Sequence, residues 1–191
     1  MINILVPVDF SKKAEYALGF ALDIAKMNEA HVLAYHVVEY PTGATIDPVG
    51  MSVPTPYDSD FIDLLKKNSG SQMELFLAEF AADIDSEISV GNPYLDISYK
   101  ISELNADLVV MGTKGSSGLK EFFIGSNAEK IVRTSKCPVI TLSQPTAKSD
   151  IKDIAFATGV VDVSEEVMTK VKQLQELFHA KLHLVRINTP N

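Results

Sequence analysis

Apolar residues follow one another along the chain in alternating strand-like and helix-like rhythms. Ile2-Asn3-Ile4-Leu5-Val6-Pro7-Val8 is a short, nearly continuous apolar run rich in β-branched residues, which predicts a strand buried on both faces of a parallel sheet. Asp9-Phe10-Ser11 then offers a helix N-cap, and Ala14, Ala17, Leu18, Ala21, Leu22 and Ala25 recur at helical spacing on one face. The small alanines let such a helix lie close to a sheet. Ala30 to Val38 is the next strand, so the first forty residues read as a βαβ unit with a right-handed crossover. Between 41 and 59, Pro41, Gly43, Pro48, Gly50, Pro54 and Pro56 interrupt any period and predict a long loop without regular elements. A helix is expected from Asp60 to Ala82, burying Leu64, Leu65, Leu75, Phe76 and Phe80, with Asn68-Ser69-Gly70-Ser71 as a kink or weak point. A strand at Ser86–Val90 ends at Gly91-Asn92-Pro93, which starts a short helix through Ile97, Ile101 and Leu104. Ala106 to Met111 is a fourth strand, followed by a glycine-rich loop at Gly112–Gly118. A helix from Ser126 to Ser135, with Ala128, Ile131 and Val132 inward, leads to a fifth strand at Cys137–Leu142. The order of elements predicts an α/β fold with a doubly wound, five-stranded parallel sheet.

Residues 144–150 read as a linker between a first domain, 1–143, and a shorter stretch, 151–191, in which the pattern begins again. Ile154 to Thr158 resembles the first strand, Val167 to Phe178 the first helix, and Lys181 to Ile187 the second strand. A shift of 150 places Ala30-His31-Val32 on Ala180-Lys181-Leu182, whereas a shift of 153 places Asp9-Phe10-Ser11 on Asp162-Val163-Ser164. Both alignments describe an incomplete second repeat, βαβ only. Two strands and one helix cannot cover both faces of a parallel sheet or protect its edges. The expectation is a piece of a two-repeat protein; the alternative is a partial repeat that docks on the first domain or on another chain.

Composition narrows the classes. The 191 residues are 46% hydrophobic and 22% charged, the profile of a globular protein with an ample core. No run approaches the eighteen or so apolar residues of a membrane span, and the first residues lack the basic and apolar regions of a secretory signal. A single cysteine, Cys137, forms no internal disulfide and no cysteine-based zinc site, and a reducing cytoplasm is the expected location. A net charge of −8 argues against a broad nucleic-acid surface, so a bound polyanion must be small and held by local geometry. His31, His36, His179 and His183 show no metal-binding spacing.

The chemistry concentrates in Gly112 to Ser126. This stretch follows a buried parallel strand and so lies at the carboxyl edge of the sheet, where open α/β folds bind ligands. Gly112 and Gly115 allow a sharp turn and close backbone approach, and Gly125-Ser126 opens a helix whose free N–H groups suit phosphate oxygens. Neither a Walker A lysine pattern nor G-x-G-x-x-G is present. Tight turning alone also accounts for Gly112 and Gly115, helix capping for Asp9, core packing for Val37 and Met111, and solvation for Lys114.

The spacing of Gly112, Gly115 and Gly125-Ser126, G-x2-G-x9-G-[ST], resembles the ATP-binding signature of the universal stress protein family. Pro7-Val8-Asp9-Phe10-Ser11, His36-Val37-Val38 and Cys137-Pro138-Val139 are similar to its first turn, the end of its second strand and the start of its fifth. The resemblance covers residues 1–143 and implies strand order 3-2-1-4-5, as in adenine-nucleotide α-hydrolases. It implies that ATP and Mg2+ are the ligands, with Asp9 near ribose and phosphates and helping to place the metal. It puts Val37 against adenine through its backbone, Pro7, Val8 and Met111 around base and sugar, and Gly112 near the ribose. Gly115, Gly125, Ser126 and Asn127 cradle the phosphates on this resemblance, and Lys114 is a candidate clamp. Asn127 stands where the family commonly has a small apolar residue, a change that keeps the backbone N–H. Dimerisation through the fifth strand is common in the family, although the attached repeat offers another use for that edge.

The expected function is therefore an ATP-binding regulatory protein of the stress response, working through conformation or partner choice. No residue stands out as a general base for γ-phosphate attack, so fast hydrolysis is not expected, while slow hydrolysis is compatible. The alternatives are an adenine-nucleotide enzyme, such as an adenylyl transferase or ligase with the 41–59 loop as a lid, and a nucleotide-free assembly module.

Overall fold

The structure is a computed structural model that describes residues 2–39, 44–46, 52–54, 59–80, 82–113, 125–158 and 163–186. The chain divides into two compact units, Met1–Pro145 and Thr146–Asn191. In the first unit, β1 (Asn3–Pro7), α1 (Lys12–Asn28) and β2 (His31–Glu39) form the opening βαβ. Ser11 caps α1 by accepting the Ala14 N–H at 3.3 Å, and Glu29 ends it in the left-handed conformation at φ 45°. Two three-residue strands, β3 (Ala44–Ile46) and β4 (Ser52–Pro54), then pair antiparallel. This corrects the expectation of a loop without regular elements. The β-branched Thr45, Ile46 and Val53 favour extended backbone, and Pro54 falls at an outer end of the pair, where a missing N–H is tolerated.

α2 (Ser59–Leu77) follows, then β5 (Asp85–Gly91), α3 (Pro93–Glu103), β6 (Leu108–Gly112), α4 (Ser126–Thr134) and β7 (Val139–Leu142). α2 runs through Gly70 as one helix, so the expected weak point does not break it. Its buried residues are Ser69, Met73 and Phe76, with Leu65 and Phe80 half-buried at the same helical spacing. Leu64 and Leu75 lie off that stripe and are exposed, Leu75 to 74%, contrary to expectation. Val132 is likewise exposed on α4, one position round from the buried Ile131. α3 begins as its sequence predicts, with Asn92 accepting the Leu95 N–H at 3.1 Å and Pro93 in the first turn.

The five long strands form one parallel sheet in the order β5-β2-β1-β6-β7, which is 3-2-1-4-5 among the sheet strands. Ile4, Leu5 and Val6 on β1 and Val109 and Val110 on β6 are fully buried, because helices cover both faces of these central strands. On one face Leu5, Leu33, Tyr35, Val109 and Met111 pack with Ile97 and Ile101 of α3 and Ala128 and Ile131 of α4. On this side the Lys100 ammonium bridges Glu87 on β5 (2.7 Å) and Glu103 (2.5 Å). Burial opposes its charge, but the hydrogen bonds it donates to Glu103 and Glu87 outweigh that and hold the pKa above the ordinary lysine value.

The second unit contains a 3-10 turn at Lys148–Asp150, then β8 (Asp153–Ala157), α5 (Glu165–Phe178) and β9 (Lys181–Val185). The segment expected as a linker therefore carries a structured turn, closed by the Asp150 carboxylate accepting the Ala147 N–H at 2.9 Å. β8 and β9 pair in parallel.

Candidate functional site

The winding of the sheet places a crevice where β1 feeds β2 on one side and β6 lies on the other. Ligands of open α/β sheets bind outside the strand ends at such a point. At the ends of these ladders Pro7 pairs with Tyr35, and Leu5 pairs with Val109. Continued by two to four residues, that register brings Asp9 level with Val37 and with Thr113, the neighbour of Gly112, at one edge of the sheet.

β1 leaves the sheet through a constrained turn. The Val8 N–H donates to Tyr35 O at 2.9 Å, and the His36 Nδ1 lies 2.7 Å from Val8 O. Phe10 then takes φ 59°, a left-handed conformation uncommon for a bulky side chain. Its ring rests on His36, with centroids 4.3 Å apart, and edge-on to Phe76 of α2 at 5.8 Å. This packing anchors the turn. Asp9 is exposed at its outer corner, with Oδ1 accepting the Ser11 N–H at 3.1 Å. Val37 is half-buried against the core on the α3 and α4 side, and Met111 is buried to 6% exposure on the same side. Their side chains pack inward, so each faces the crevice chiefly through its backbone.

β6 and α4 are tied together at the base of the glycine stretch. The Thr113 N–H donates to Leu142 O at 2.9 Å, and the Gly125 N–H donates to Thr113 O at 2.5 Å. Gly125 is the N-cap of α4, with φ −61° and ψ 150° and no side-chain cap. The first-turn N–H groups of Ser126, Asn127 and Ala128 therefore stand without the side-chain acceptor that Ser11 and Asn92 provide for α1 and α3. That end of a helix attracts anions through its N–H groups and dipole. Lys114 and Gly115 lie outside the described residues.

Three contributions were not read from sequence. Gly112 serves packing as well as approach: a Cβ there would stand 2.8 Å from Lys13 Cβ and 3.0 Å from its carbonyl carbon. Lys13, on the first turn of α1, places its Nζ 3.4 Å from Thr113 Oγ1. Thr113 thus touches both helix starts. A lysine two residues after a helix cap was the available signal for Lys13, while Thr113 carried none beyond its place after Gly112. Among the described residues no three of His, Cys, Asp and Glu gather as a metal site. No helix searched is long and apolar enough to cross a membrane. Cys137 is half-buried, its Sγ 3.3 Å from Ser135 Oγ.

Comparison with known proteins fits this geometry. A model of the universal stress protein family matches residues 1–143. A Staphylococcus aureus (strain USA300) protein carrying that family's name is 28% identical over 155 residues, which cover 78% of this chain and 89% of its own. The solved structure of universal stress protein UspA from Lactobacillus plantarum is 30% identical with a TM-score of 0.57, covering 74% of this chain and 97% of that one. A universal stress protein from Archaeoglobus fulgidus shares the fold at 24% identity and a TM-score of 0.51, over 74% of this chain and 98% of its own.

Proposed function

Because this chain belongs to the universal stress protein family, we propose that its first unit is a regulatory domain that binds ATP and acts by changing conformation or partner. The observation that carries this is the uncapped start of α4, tied through Thr113 to the end of β6 at the sheet's crevice. The N–H groups of Ser126 and Asn127 take phosphate oxygens, joined by the Ser126 hydroxyl and by Gly115 and Lys114 of the intervening loop. Val37 meets adenine along its backbone, with Pro7, Val8, Met111 and Gly112 around base and sugar. Asp9 would help to place Mg2+, which would supply positive charge beside the phosphates. On this proposal the domain retains ATP rather than turning it over rapidly.

Residues 151–191 are, on the same proposal, the opening of a second domain, with 1–143 as the first and 144–150 between them. Asn3 faces His31 and Asp153 faces Lys181, a spacing of 28 residues in both strand pairs (31 − 3 and 181 − 153). The left-handed helix ends Glu29 and His179 stand 150 apart, whereas the caps Ser11 and Ser164 stand 153 apart. These spacings support a repeat whose offset changes along the helix, since α5 starts three residues later than a shift of 150 would place it and is three residues shorter, 14 against 17. β7, the last strand of the main sheet, is the edge through which two copies pair in a cytoplasmic dimer.

The test is to denature the purified protein, extract its small molecules and quantify adenine nucleotides by chromatography and mass spectrometry, then titrate stripped protein with Mg-ATP. Near-stoichiometric ATP or ADP in the extract, or saturable binding below millimolar ATP, is expected. Folded protein that takes up no ATP at millimolar concentration with Mg2+ contradicts the proposal.

A further inference from the structure

The geometry points to Lys13 as the residue that reads the length of the phosphate chain, its ammonium lying against the outer phosphates of a nucleoside di- or triphosphate. This rests on the nucleotide reading above and adds a determinant outside the glycine stretch.

Lys13 sits in the first turn of α1, where a cation opposes the helix dipole. The neighbouring Lys12 is neutralised by an ion pair with Glu15. Lys13 has no carboxylate within ion-pair distance among the described residues, only the neutral Thr113 hydroxyl at 3.4 Å. Its charge is thus held half-buried beside the residue that fixes the start of α4. The second unit shows what the same cap looks like without this demand. Ser164 caps α5 as Ser11 caps α1, accepting from the third residue on at 3.4 Å against 3.3 Å. The two residues after that cap are Glu165 and Glu166, the charges a helix start favours. A serine-capped helix in this chain therefore does not need lysines there. In α1 they bring a positive charge to the crevice, and a polyphosphate offsets the conflict with the dipole.

Affinities of the full chain for Mg-ATP, Mg-ADP, AMP and inorganic tripolyphosphate, measured by calorimetry for wild type, Lys13→Gln and Lys13→Arg, decide the matter. Lys13→Gln is expected to weaken ATP and tripolyphosphate about tenfold or more while changing AMP less than about twofold, and Lys13→Arg to stay within about threefold for ATP. The melting temperature of ligand-free Lys13→Gln should not fall, since the clash with the dipole is relieved; a purely structural lysine would lower it. Equal weakening of ATP and AMP, or no weakening, overturns the assignment. If ATP binds and Lys13→Gln leaves it untouched, Lys13 is dismissed and the nucleotide reading stands. If tripolyphosphate binds through Lys13 but no adenine nucleotide binds, the reverse holds, and if wild type binds none of them both fall.

Discussion

Gly125→Asp is expected to leave the fold intact, with stability equal or higher, and to weaken ATP binding at least about a hundredfold. Gly125 has extended backbone angles that any residue adopts, so an aspartate fits without strain. Its carboxylate is among the best helix caps, adding a few tenths of a kcal/mol over glycine and about 0.3–1 kcal/mol from the dipole. The same carboxylate would compete for the N–H of Asn127, which the proposed phosphate needs, and its negative charge would repel the phosphate. A hydrogen bond to a charged group contributes about 1.5–3 kcal/mol, so losing that of Asn127 together with the repulsion between the two anions removes about 3 kcal/mol or more, two powers of ten in affinity. Gly125→Ala keeps every N–H free and should retain ATP within a few-fold. Thermal unfolding and calorimetric titration of the two variants separate the effects. An aspartate variant that binds ATP as tightly as the parent would remove α4 from the site.

Gly112→Val is expected to destabilise the protein by about 2–3 kcal/mol, near the upper end for inserting carbon into a packed interior. The constraint is space rather than left-handed backbone. A first carbon at this position already lies 2.8 Å from Lys13 Cβ and within 3.2 Å of its carbonyl carbon and oxygen. The backbone of α1 cannot rotate away as a flexible side-chain tip would, so α1 and β6 must separate. That separation also displaces Thr113 from Gly125 and with it the start of α4. Gly112→Ala should lose a smaller share. Denaturant unfolding of both measures it, and a valine variant as stable as the parent would show that the contact yields easily.

The sheet was legible because its central strands are short and apolar throughout: Ile4 to Val6 and Leu108 to Met111 are buried on both faces, and their sequences carry no polar alternation. Capping was legible for the same local reason, since Ser11 and Asn92 act on N–H groups three residues away. Burial in α2 was not, because the inward stripe includes the polar Ser69 while Leu64 and Leu75 look like core and face outward. The glycine spacing marked the end of the site to which the phosphates are proposed to bind, but Lys13 and Thr113 are 100 residues apart and meet only through the fold. The hairpin of β3 and β4 was hidden by the prolines around it, which outweighed three-residue extended runs. The two offsets weighed for the second unit could not be decided from sequence because the helix ends Glu29 and His179 stand 150 residues apart while the caps Ser11 and Ser164 stand 153 apart.

The central claim is that nucleotide phosphates sit on the open N–H groups at the start of α4. Backbone amide chemical shifts of the isotopically labelled protein, followed by NMR during Mg-ATP titration, test it most directly. The account predicts saturable shifts that are largest at Gly125, Ser126, Asn127 and Ala128, accompanied by Asp9 and Val37 at the strand ends. Unchanged amides at Gly125–Ala128 while ATP reaches millimolar concentration, or saturating shifts confined to another part of the chain, would contradict it.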